Sequence, residues 1–216
     1  ECGAVWGYNG STGDIDITWE YHIMMNEFRK RPKIAGFLFT EFHDVINEWN
    51  GYYRFNRSKK IFGLDELHPG MTMRDFHQDL YVVPGNDFYQ AYPGNTKAEI
   101  PVGLNAVTSD IPQNLILSYS IYGWDTLGEK FDHLSGEMRV IGKPFQFTPQ
   151  KPVKFQTPRK TAVMIFATTL KDESGQVLQR NFVPFKVESS ITENGLVITR
   201  SPDDFSAADW SVKNHT

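Results

Sequence analysis

The residues best able to do chemistry crowd the first part of the chain: carboxylates at Glu1, Asp14, Asp16, Glu20, Glu41, Asp44 and Glu48, set among Trp6, Tyr8, Trp19, His43, Trp49, Tyr52 and Tyr53. Carboxylates among aromatic rings suit a sugar site. A pyranose presents an apolar face that stacks on indole or phenol, its hydroxyls need charged or amide partners, and glycosidic cleavage takes two carboxyl groups. Each side chain also has a plainer use. Asp44 can pair with Arg54 or Arg57, His43 can satisfy a backbone carbonyl, and Trp49, just before the Asn50 and Gly51 turn signal, can pack beneath its loop.

Other chemistries are set aside by composition. The chain has 216 residues, 40% of them hydrophobic and 14% aromatic, enough to pack one large or two ordinary domains. Its 22 basic and 26 acidic residues are interspersed and leave a net charge of -4. No Lys/Arg stripe is present to neutralise a phosphate backbone, so nucleic acid is not an expected partner. No apolar run approaches the roughly 18 residues of a membrane span, and no membrane partner is expected. The single cysteine, Cys2, cannot form an internal disulfide, and it lies beside an acid that would not activate it. Its expected role is packing. His22, His68 and His77 lack partner ligands at helical spacing, so neither a metal nor a cofactor is expected. Residue 1 is Glu and is followed by neither a basic nor an apolar leader pattern. The chain is therefore expected to be a piece of a larger protein, with its localisation left open.

The elements that would position these groups follow from periodicity. Asp14 or Asp16 could cap a helix running to about Arg31, with Ile17, Tyr21, Met24, Met25 and Phe28 along one face and Pro32 ending it. The continuous apolar run Ile34 to Phe39 predicts a buried parallel strand, and a helix followed by such a strand is an α/β signature. It stops at Thr40, where Glu41, His43 and Asp44 follow. Barrel enzymes place their chemistry at such strand ends. Thr72 with Asp75 predicts a capped helical start.

Beyond residues 82 to 94, Pro and Gly punctuate a series of β-branched runs: Ala98 to Val102, Leu115 to Trp124, Glu137 to Val140, Val153 to Phe155, Thr161 to Leu170 and Val177 to Lys186. That spacing predicts a β-sandwich. The last two runs, joined by a polar turn containing Gly175, predict a hairpin, with Pro184 at an edge or bulge.

Several of these residues also match a known family. Gly36, Thr40, Asp44, Val45, Glu48, Asn50 and Gly51 follow the run GxxxTxxxDVxxExNG that resembles the last barrel strand and following loop of glycoside hydrolase family 2. Glu1, Cys2, Gly3 and Ala4 resemble its nucleophile strand end, and Asp172, Gly175, Arg180 and Asn181 its later strand, DxxG turn and strand closing in an RN pair. The chain departs from the pattern at Glu41, where the family usually has Gln, and at Phe37 and Phe39, where several relatives carry a Trp in that strand.

The resemblance implies an α/β plus all-β fold: the last portion of a (β/α)8 barrel over residues 1-83, an immunoglobulin-like β-sandwich over 84-189, and a tail or further domain over 190-216. It implies a fragment of a retaining exo-β-glycosidase, with Glu1 as the nucleophile and Trp6, Glu41, His43 and Asp44 binding substrate. The fragment would be inactive alone, because the family's acid/base lies upstream of Glu1. The implied partners are a carbohydrate substrate in the intact parent and the missing N-terminal domains of the same protein. The alternatives are a non-catalytic carbohydrate-binding or partner-docking module, or a degenerate glycosidase homologue.

Overall fold

The computed structural model describes residues 18–31, 33–46, 48–86 and 89–189. Helix α1 (Thr18–Lys30) has Glu20 in its first turn and Arg29 and Lys30 in its last, each charge opposing the local end of the helix dipole. It buries Tyr21, His22, Met25 and Asn26. A short α2 (Leu64–Leu67) and a 3-10 turn (Met73–His77) follow. The turn starts as the sequence predicts, since Asp75 Oδ2 accepts from the Thr72 backbone N–H at 2.8 Å, although only one tight turn forms there.

Ten strands follow: β1 (Leu80–Pro84), β2 (Gln90–Pro93), β3 (Lys97–Ile100), β4 (Val102–Ala106), β5 (Leu115–Asp125), β6 (Lys130–Val140), β7 (Phe147–Pro149), β8 (Val153–Gln156), β9 (Ala162–Lys171) and β10 (Val177–Glu188). They form a three-stranded sheet β1-β4-β7, a five-stranded sheet β2-β10-β9-β5-β6 and a pair β3-β8. Every pairing between them is antiparallel except β2 with β10.

Two apolar layers hold these elements together. Between the sheets, Val82, Leu104, Leu117, Met164, Phe166 and Phe185 belong to one buried cluster. A second cluster joins Tyr21 and Met25 of α1, together with Leu64 and Phe76, to Tyr81 and Val83 of β1 and to Ile165, Ala167 and Phe182 of the five-stranded sheet. Strand β1 is buried at all five residues because alternate side chains enter different layers. The same double coverage gives β9 its nearly unbroken apolar sequence.

A buried polar seam fastens α1 to the sandwich. Asn181 Nδ2 donates to Asn26 Oδ1 (3.0 Å) and to the Val82 carbonyl (2.7 Å), and Tyr81 Oη donates to Asn26 Oδ1 at 2.8 Å. His22 Nε2 lies 2.5 Å from Asn181 Oδ1. Burial pushes the His22 imidazole down to about 3, so the ring is neutral.

The β9–β10 hairpin forms as the sequence predicts, with Asp172 Oδ1 accepting from the Ser174 and Gln176 backbone N–H groups at 2.9 Å and Gly175 at φ +85°. Strand β10 is interior in the sheet order, but β2 joins it only from Phe185, so at Pro184 only β9 is paired with it.

The expected barrel portion is corrected. The described residues contain two α-helices and three separate sheets, with neither a closed parallel barrel nor alternating strands and helices. The run Ile34 to Phe39, expected to be a buried parallel strand, belongs to none of the sheets. Phe37 packs on Phe28 (5.8 Å between ring centroids) and Phe39 on Tyr52 (4.6 Å), while Ile34 and Leu38 are exposed. A continuous apolar run signals a buried strand only where both faces are covered, and here Ile34 and Leu38 stay exposed. Residues 190–216, expected to be a tail or further domain, lie outside the described residues.

Candidate functional site

Residues 34–61 carry most of the side chains expected to do chemistry, and a buried ion pair organises them. Lys60 Nζ stands 2.7 Å from Asp44 Oδ1, each side chain 1% exposed. The same carboxylate oxygen accepts the Gly51 N–H at 2.9 Å, and Lys60 also donates to the Trp49 carbonyl at 2.6 Å. Gly51 is required by this close approach, since a Cβ there would lie 2.3 Å from the carbonyl carbon of His43. Backbone bonds from Tyr53 N to Phe42 O (3.2 Å) and from Asp44 N to Tyr53 O (2.9 Å) tie the two arms of the segment. Asn50 Nδ2 donates to the Thr40 carbonyl at 2.7 Å.

The inner side of the segment is locked to α1. The Tyr21 hydroxyl lies 2.7 Å from the Tyr52 hydroxyl and 3.0 Å from His77 Nε2, and Tyr21 meets Phe39 edge to face at 4.9 Å. His68 is likewise engaged, with Nε2 2.9 Å from the Thr168 carbonyl.

The expected site residues are therefore placed unequally. Asp44 is buried against Lys60 rather than paired with Arg54 or Arg57. His43 Nδ1 lies 2.9 Å from the Asp44 carbonyl within its own loop. Glu41 is half-buried; its Oε1 is buried and has no hydrogen-bond partner among the described residues. Burial raises its carboxyl, and the charge of Glu48 adds to the effect. Glu1 and Trp6 lie outside the described residues. Sequence reasoning missed Lys60, whose only signal was a lysine within reach of a loop carboxylate.

Many large apolar side chains of the segment are exposed. Leu38 is 76% exposed, Ile46 74% and Ile61 85%, and Ile34, Phe42 and Phe55 are also exposed. No single residue there is unusual, but so many large apolar groups on one fastened segment is.

The glycosidase reading is corrected along with the barrel. Among the described residues no barrel forms, no group of three or more His, Cys, Asp or Glu side chains converges on a metal-sized site, and Asp44 is committed to Lys60. The described architecture is that of a β-sandwich with α1 and part of residues 34–61 packed against it.

Comparisons with known proteins find no matching family model and no matching curated protein. Solved structures give distant partial likenesses. The CARDB domain of a Pyrococcus furiosus protein aligns at 12% identity with a TM-score of 0.33, over 50% of this chain and 89% of that one. A putative β-galactosidase from Bacteroides fragilis aligns at 15% identity and 0.31, over 49% of this chain and 15% of that one. A β-glucuronidase from glycoside hydrolase family 2 aligns at 18% identity and 0.31, over 49% of this chain and 11% of that one. The chain thus spans a small part of the two glycosidases. Its likeness to any of the three is remote and carries no argument about activity.

Proposed function

We propose that the chain is a non-catalytic β-sandwich module that docks onto another polypeptide surface, whether a neighbouring domain or a separate chain, through the face carried by residues 34–61. One observation carries this reading: a segment pinned by a buried ion pair presents Leu38, Phe42, Ile46, Phe55 and Ile61 to solvent. Leaving such groups wet forgoes about 1.5–3 kcal/mol of burial per side chain. A covering surface recovers it, and the ion pair preorganises the face so that little ordering is lost on docking.

A sugar fits this face less well. Leu38, Ile46 and Ile61 offer no ring to stack on, the rings of Phe39 and Tyr52 are spent against α1 and each other, and only Phe42 and Phe55 of the segment present exposed rings. The open groove of about 480 Å³ between the 3-10 turn and the β9–β10 hairpin, lined by Thr72, Arg74, Asp79, Asp110, Gln176 and Arg180 among others, has no aromatic wall.

The test is a photoreactive amino acid placed in turn at Leu38, Phe42 and Leu127, the last an isolated exposed residue in the β5–β6 turn. Docking predicts that the adducts from 38 and 42 converge on one surface of one polypeptide and that 127 does not reach it. Adducts that are the same from all three positions, or absent from all, reject the reading. Saturable glycan binding that Phe42→Ser abolishes would replace it with the carbohydrate alternative.

A further inference from the structure

The chain is acidic overall, at -4, yet residues 49–64 contain Arg54, Arg57, Lys59 and Lys60 and no Asp or Glu. Lys60 is neutralised by Asp44 in the interior. Arg54 holds the turn, donating through Nη1 to the Lys59 carbonyl while its N–H bonds the Ser58 carbonyl at 2.9 Å. Arg57 sits at the tip with φ +66°, and Ser58 N–H donates to Asn56 Oδ1 at 3.0 Å. Arg57 and Lys59 are both exposed, and neither makes an ion pair among the described residues. They alternate with exposed Phe55 and Ile61, and Lys33 stands just before exposed Ile34. The one exposed acid within the segment is Glu48.

Resting on the docking reading, we infer that the surface covering this face is an acidic, apolar polypeptide, whose carboxylates meet Arg57 and Lys59 beside Phe55 and Ile61. Exposed apolar side chains alternating along the chain with exposed cations supply both components of an interface, an apolar core and a charged rim. The rim would set orientation and association rate more than affinity. A stiff hydrogen-bonded turn holds these cations in place before contact.

The test uses the whole chain and three probes: an amphipathic helical peptide of Leu and Glu, its Leu and Lys counterpart, and vesicles of phosphatidylserine or phosphatidylcholine. The Leu/Glu peptide is expected to bind and the Leu/Lys peptide to bind at least about tenfold more weakly, with added salt narrowing the gap. Arg57→Glu with Lys59→Glu should reverse the preference, and Phe55→Ser with Ile61→Ser should weaken both peptides. Near-UV circular dichroism checks that each variant is folded. Equal binding of both peptides, unaffected by the charge reversal, overturns the acidic partner but leaves docking to be judged by the crosslinks. Preferential binding of phosphatidylserine vesicles, or concentration-dependent self-association lost in Phe55→Ser with Ile61→Ser, replaces the acidic polypeptide with a membrane surface or a second copy.

Discussion

Asp44 and Lys60 are each almost wholly removed from water, so removing either strands a buried charge. Lys60→Met should cost about 3–5 kcal/mol locally, read as faster amide exchange over residues 41–60 with the sandwich strands unchanged. Asp44→Leu together with Lys60→Met should restore much of the protection, because a buried pair replaced by apolar groups is often neutral. His22 supplies a pH dependence. Its folded-state value near 3 lies below the ordinary 6.5, so above pH 6.5 both folded and unfolded states are neutral and its contribution is fully present. As pH falls below 6.5, the unfolded state takes up a proton that the folded state refuses. Stability should then drop by about 1.4 kcal/mol per pH unit towards pH 3. Burial also lowers His68 and His77, which adds slope of the same sign. Urea unfolding between pH 7 and 5 should therefore show a smaller slope for His22→Gln than for the parent chain.

At the scale of the element, α1 is held by an apolar stripe and a polar seam, and the two can be separated. Met25→Ala should cost about 2–5 kcal/mol by leaving a cavity against the sandwich. Tyr81→Phe keeps the ring and loses only the bond to Asn26, which should cost about 1 kcal/mol. Chemical denaturation of the two variants checks both values. Most of these elements were legible. The runs from Leu115 and Val177 became β5 and β10, and Pro32 follows the last turn of α1 closely. Strands of that length carry their own turn chemistry and β-branched composition, which are local properties. The run Ile34 to Phe39 was not legible, because its burial depends on what lies across from it. The Lys130 to Leu134 half of β6 was missed as well, since its alternation of exposed and half-buried residues is faint in KFDHL.

For the molecule as a whole, the two apolar layers share β1, β5, β9 and β10, so α1 and the helical turns form part of the sandwich's outer wall. A segment of residues 80–189 alone would expose Tyr81, Val83, Ile165 and Phe182. It should melt well below the segment 18–189, by about 10 °C or more if only a few kcal/mol are lost. Equal melting temperatures in differential scanning calorimetry would show that α1 rides on the sandwich without supporting it. The sequence by itself determined the runs of β5, β8, β9 and β10, the capped turn at Thr72 and the polar hairpin at Asp172, and among the described residues no helix is long and apolar enough to cross a membrane. Each is written in neighbouring residues. Only the tertiary structure decided that Asp44 faces Lys60 in the interior, that Asn181 binds α1, and that Leu38, Ile46 and Ile61 face outward. These outcomes depend on contacts between residues distant in sequence, or on surfaces left uncovered, and neither has a local signature.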